Sequence, residues 1–119
     1  MIVGIDHIQL AMPKGQEERA RQFFTGVLGM AELDKPEILK SRGGCWFSCG
    51  GQELHLGVQA GFNPAKKAHP AFLAVDLGAM EANLLAHGVE ITHQPPLPNA
   101  KRLFIEDPFG NRIELLERS

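Results

Sequence analysis

Hydrophobic and polar residues alternate along the first dozen positions of the chain. Ile8, Leu10 and Met12 fall on one side and His7 and Gln9 on the other, the period of two that marks a strand with one apolar face. Residues 5–12 are therefore predicted as a strand, ended by Pro13-Lys14-Gly15. From Glu17 the period lengthens. Ala20, Phe23, Phe24, Val27 and Leu28 recur at helical spacing, and Gly29 stands where a left-handed C-terminal cap belongs. Three shorter strand-like pieces follow at 30–33, 44–49 and 53–58, separated by turn formers such as Lys35-Pro36 and Gly50-Gly51. The order is β-α-β-β-β.

That order then recurs. Residues 60–68, with Gly61, Asn63, Pro64, Lys66 and Lys67, read as a connector. A strand is predicted at 69–75, a helix at 78–87 with Met80 and Leu84 inward, a cap at Gly88, and strands at 89–92, 102–106 and 112–116. The proline-rich stretch 94–98 reads as a rigid spacer between strands. When Gly29 is aligned with Gly88, the last strands fall into register: His55 is 26 residues after Gly29, and Glu114 is 26 after Gly88. His7 and His69 open the corresponding first strands. An internal duplication accounts for this, and it predicts one α+β domain over 1–119 made of two βαβββ modules, 1–59 and 69–119.

The polar residues on these strands are the candidate chemistry. Side chains alternate between faces, so His7, His55 and Glu114 each lie on the non-core face of an otherwise apolar strand, and His69 begins the partner of the His7 strand. Four ligand-type side chains thus occupy two repeat-equivalent positions. If the modules pack about a pseudo-twofold axis, the four converge. Three imidazoles and a carboxylate suit a borderline divalent ion: Zn, Fe, Ni, Co or Mn. His87 and His93 fall outside the pattern and read as surface residues.

Composition narrows the function classes. The chain has 119 residues, one domain's worth, with 12 Lys+Arg against 14 Asp+Glu and a net charge of −2. No basic run exceeds Lys66-Lys67, which argues against a nucleic-acid partner. No apolar stretch approaches the ~20 residues of a membrane span. The first residues lack a basic segment, so no secretory signal is read and the expected location is cytoplasmic. Cys45 and Cys49 on one strand would stand ~13 Å apart, beyond disulfide reach, and read as reduced thiols. No CxxC, GxGxxG or Walker string is present, and neither Ser41 nor Ser48 sits in a nucleophile-elbow context.

Three strings carry a family resemblance: Asp6-His7-Ile8-Gln9-Leu10-Ala11-Met12, Phe23-Phe24-Thr25-Gly26-Val27-Leu28-Gly29-Met30, and the run from Glu106 to Glu117 containing Asp107-Pro108-Phe109-Gly110-Asn111-Arg112-Ile113-Glu114-Leu115. Together they resemble the vicinal oxygen chelate superfamily of glyoxalase I, methylmalonyl-CoA epimerase, fosfomycin-resistance transferases, extradiol dioxygenases and bleomycin-resistance proteins. The resemblance covers nearly the whole chain. It implies paired βαβββ modules forming a metal-binding cup, commonly in a homodimer whose subunits share ligands. It also implies that His7, His69 and Glu114 are metal ligands, with His55 at the fourth position. That position is typically Glu in bacterial glyoxalase I and Gln or Glu in the epimerases, so histidine is a departure.

The family's chemistries separate on what surrounds the ion. Extradiol dioxygenases lean on a nearby tyrosine, and this chain has none. Fosfomycin transferases carry threonine two residues after the first ligand, where Gln9 stands here. The expected function is therefore a metal-dependent lyase- or isomerase-type proton transfer next to a carbonyl of a small oxygen-chelating substrate, with Glu114 as base. The alternatives are an extradiol-type dioxygenase and a non-catalytic small-molecule binder of the bleomycin-resistance type. Gln9, Trp46 and Arg102 are the expected pocket residues. Arg102 would answer an anionic substrate, and Trp46 faces away from its neighbours Cys45 and Phe47.

Overall fold

The computed structural model describes residues 1–119 as two units, Met1–Asn63 and Pro64–Ser119, each with one helix and one sheet. The chain is α+β, as the sequence predicts. The first unit runs β1 (His7–Met12), α1 (Glu17–Phe24), β2 (Glu32–Leu33), a 3-10 turn at Glu37–Arg42, β3 (Cys45–Cys49) and β4 (Gln52–Val58). Its sheet order is β1-β4-β3-β2, with β1 parallel to β4 and the other pairs antiparallel. The core forms where the alternation places it. Cys45 and Phe47 of β3 and Leu54 and Leu56 of β4 are buried with Ala20, Phe23 and Phe24 of α1. The rings of Phe24 and Phe47 stand 5.4 Å apart.

Helix α1 is shorter than its apolar spacing predicts. It ends at Phe24, and beyond it Gly26 and Leu28 donate to carbonyls five residues back, which widens the last turn before Gly29 reverses the chain at φ +79. Gly44 is fixed by the fold. Its φ is +82, a Cβ there would collide with the Leu56 carbonyl, and its N–H donates to Glu17 Oε2 at 2.8 Å. Both cysteines are free, and burial pushes the Cys45 thiol up to about 11.

The second unit runs β5 (Ala71–Leu73), α2 (Leu77–Ala86), β6 (Ala100–Glu106) and β7 (Arg112–Arg118). Its sheet order is β5-β7-β6, with β5 parallel and β6 antiparallel to β7. Helix α2 begins one residue earlier than expected. The Asp76 side chain accepts from Ala79 N at 3.0 Å and Glu117 Oε1 accepts from Leu77 N at 2.7 Å, which satisfies two of the helix's orphan donors. Leu84 is buried and Met80 half-buried, with Leu77 completing the inward face.

One predicted strand is absent. Residues 89–92 form only a single bridge, Thr92 to Phe104. The Val89 N–H is already spent on the Leu84 carbonyl at 3.0 Å in the turn that closes α2, and the prolines at 95, 96 and 98 cannot donate to a ladder. The piece predicted at 30–33 is likewise reduced to two residues, and the 69–75 strand to three.

The loop between β6 and β7 is fixed by a buried carboxylate. Asp107 Oδ1 accepts from the backbone N–H of Phe109 and of Asn111, each at 2.9 Å, and Oδ2 accepts from Asn111 Nδ2 at 2.8 Å. That turn sets the register in which Glu114 pairs with Phe104.

Candidate functional site

In the first unit the candidate residues share the non-core face of β1, β4 and β3. Parallel pairing puts Gln9 opposite His55, and antiparallel pairing puts Trp46 opposite the same residue, so the three form a row across the sheet. His7 and Glu53 lie two residues along on the same face. The buried His55 ring is stacked from both sides, 3.8 Å and 1° from Trp46 and 4.1 Å and 22° from His7. Its Nε2 stands 2.9 Å from Glu53 Oε1. His7 is exposed, with Nδ1 2.9 Å from Asp6 Oδ2, which turns Nε2 into the nitrogen available to a ligand. Gln9, also exposed, leans across Gly57, where a Cβ would come within 2.5 Å of its Nε2.

In the second unit Ala71 and Phe104 flank Glu114 across the sheet. His69 stands two residues before Ala71 as His7 stands two before Gln9. The strand register therefore reproduces the repeat: His7 matches His69, His55 matches Glu114, and Trp46 matches Phe104. His69 Nε2 lies 3.0 Å from Glu114 Oε1, and its Nδ1 lies 2.9 Å from the Lys67 carbonyl oxygen. The other carboxylate oxygen of Glu114 is 3.5 Å from Arg102 Nη1. Arg102 Nε donates to the Pro95 carbonyl at 3.0 Å. Phe104 meets His69 edge-on at 5.1 Å, and the guanidinium of Arg112 covers the same ring at 4.2 Å.

The donor chemistry of the His69–Glu114 pair is of the kind that holds a divalent ion. Two ligands bonded at right angles with the ~2.1 Å lengths usual for imidazole and carboxylate stand about 3 Å apart, and His69 Nε2 and Glu114 Oε1 are separated by 3.0 Å. A ligating histidine ordinarily has its other nitrogen held by an oxygen. His69 meets that condition through Lys67, and His7 through Asp6. His55 Nε2 stands in the same relation to a carboxylate, 2.9 Å from Glu53 Oε1, while two rings lie against its faces. The ligand-type residues come as one pair per unit, and no set of three or more His, Cys, Asp or Glu gathers at one point. His87 and His93 are exposed, with His87 Nδ1 2.8 Å from the Asn83 carbonyl and His93 Nε2 3.5 Å from Glu81.

Two neighbours of the candidate residues escaped the sequence reading. Glu53 precedes His55, and Arg112 precedes Glu114, each by two positions, and period-two spacing alone puts each pair on one face. Arg112 Nη1 lies 3.4 Å from both the Lys67 carbonyl and His69 Nδ1, so it borders the pair directly.

The model of the Glyoxalase/Bleomycin resistance protein/Dioxygenase superfamily matches residues 4–115. A solved structure described as a glyoxalase family protein from Bacillus anthracis is 50% identical, with a TM-score of 0.96 over 100% of this chain and 98% of that one. At greater distance, a lactoylglutathione lyase from Agrobacterium tumefaciens is 23% identical, with a TM-score of 0.74 over 96% of this chain and 92% of that one. An antibiotic binding protein from Streptomyces sp. CB03234 is 22% identical, with a TM-score of 0.72 over 100% and 99%. These last two share the fold. No curated protein matches the sequence.

Proposed function

The chain belongs to the Glyoxalase/Bleomycin resistance protein/Dioxygenase superfamily, and from that premise we propose that it is a divalent-metal enzyme moving a proton next to the carbonyl of a small substrate. The observation that carries the reading is the His69–Glu114 pair. It is a carboxylate with 8% of its side chain exposed, 3.0 Å from an imidazole whose far nitrogen is already held. In this reading the ligands are those expected from the sequence, His7, His55, His69 and Glu114, and Trp46, Gln9 and Arg102 are the pocket residues. The homodimer and the cytoplasmic location expected from the sequence belong to the same proposal. No helix is long and apolar enough to cross a membrane.

Bound to these ligands, a divalent ion supplies Lewis-acid polarisation of a substrate carbonyl and so acidifies the adjacent C–H. Glu114 takes that proton at the carboxylate oxygen facing Arg102 and returns it to substrate. Lys67 holds the orientation of His69, and Phe104 walls the ring's edge. The test is solvent exchange. Metal-loaded protein in D2O is incubated with hemithioacetals and 2-hydroxy ketones, and deuterium entry beside the carbonyl is followed by NMR. Exchange that falls about 100-fold in Glu114→Gln, compared at metal concentrations that saturate the variant, is expected for a general base. Loaded protein that exchanges none of these compounds would contradict the reading.

A second reading is favoured by the flat stack of His7, His55 and Trp46, which offers ring faces to a planar apolar molecule. A non-catalytic binder of this kind would quench Trp46 fluorescence on ligand addition without any metal.

A further inference from the structure

We infer that the substrate carries an oxyanion, a carboxylate or a phosphonate, beside its chelating carbonyl, and that Arg102 receives it. This rests on the metal reading above and adds the charge class of the substrate. On the non-core face of the second sheet two guanidinium groups, Arg102 and Arg112, lie 5.5 and 4.2 Å from the Phe104 ring centre. Glu114 of β7, paired with Phe104 of β6, is the buried carboxylate of this face, and Glu106, opposite Arg112 on the ladder, is exposed.

Arg102 is only loosely committed to Glu114. The 3.5 Å contact is long against the 2.7–2.9 Å usual for a charge-assisted bond. Its Nε, by contrast, is held by the Pro95 carbonyl at 3.0 Å, which fixes the plane of the fork with Nη1 on the Glu114 side. The side chain is 21% exposed. Were Glu114 to give its charge to a dication, the partly buried Arg102 guanidinium would be left without its counter-charge, an arrangement that favours entry of another anion. Arg112 adds a second positive charge on the far side of Phe104. A planar oxyanion is the group that a guanidinium fork binds best. An anion on Arg102 lies next to anything chelated beside Glu114, so oxyanion and carbonyl belong on neighbouring atoms of one small molecule.

The test separates this inference from the metal reading by using chelator-treated protein. Pyruvate, acetylphosphonate and the neutral methyl pyruvate are titrated against backbone amides of β6 and β7 by NMR. Glu114→Gln removes the competing carboxylate charge without any metal. It is expected to bind at least one of the two anions about tenfold more tightly than wild type, as loss of a close like charge predicts. Methyl pyruvate binding should not change. Adding Arg102→Met should erase the gain, while adding Arg102→Lys, which keeps the charge and loses the fork, should retain part of it. Which anion responds identifies carboxylate or phosphonate. A gain that survives Arg102→Met, or one shared equally by the neutral ester, overturns the inference; so does the absence of any gain in a Glu114→Gln protein whose amide spectrum is folded. Metal content of the wild type is scored separately, so loss of either idea is visible without the other.

Discussion

Replacing Glu114 with Gln lowers divalent-metal affinity by about 1000-fold, since changing a residue that merely supports a ligand already costs 10–100-fold. The substitution keeps the shape of the side chain and removes its negative charge, and a neutral amide oxygen is a poor ligand for these ions. His69→Ala and His7→Ala are expected to fall into the same range. His93→Ala and His87→Ala should leave affinity unchanged, because their rings engage Glu81 and the Asn83 carbonyl at the surface. Calorimetric titration with Zn, Ni, Co and Mn on the five variants checks all of this. A Glu114→Gln protein with wild-type affinity would remove that residue from the ligand set.

Asp107→Ala should destabilise the chain by about 3 kcal/mol, because it removes a buried carboxylate that accepts from two backbone N–H groups and one side-chain amide. Asp107→Asn keeps an acceptor for the two N–H groups and should cost about 1 kcal/mol. Burial pushes this carboxyl up from its ordinary value, although its hydrogen bonds to Asn111 and Phe109 pull the other way. A carboxyl whose folded pKa exceeds its unfolded one ionises less readily in the fold. Its ionisation therefore opposes folding above the unfolded pKa, and that penalty fades as pH falls through the titration range. Asp107 is thus expected to add nothing to acid unfolding, and wild type should gain stability relative to Asp107→Asn as pH is lowered into that range. Urea unfolding of the three proteins at several pH values measures both effects. An Asp107→Ala protein as stable as wild type would mean that the turn finds other acceptors.

The elements with strong alternation were legible in the sequence. In β4 and β7 apolar residues at Leu54 and Leu56, and at Ile113 and Leu115, fix the buried face, so His55 and Glu114 had to share the other. The glycine caps were legible because Gly29 and Gly88 need positive φ. What escaped depends on tertiary context. The strand predicted at 89–92 fails because the close of α2 claims the Val89 N–H, a competition that propensity does not register. The 3-10 turn at Glu37–Arg42 has no buried residue, so no hydrophobic pattern marks it. The candidate residues themselves were found by spacing, but their partners were not. Nothing in the residue pattern says that Trp46 and His7 would sandwich the His55 ring, since that depends on the register of three strands at once.

Whether the protein holds a divalent ion is read from the metal content of purified, untagged protein by mass spectrometry, beside its melting curve with and without chelator. About one equivalent of Zn, Fe, Ni, Co or Mn per chain is expected, with a melting temperature that falls on chelation, since a ligand bound only by the folded state stabilises it. Protein that contains no such metal, takes none up on addition and melts identically with chelator would contradict the metal reading.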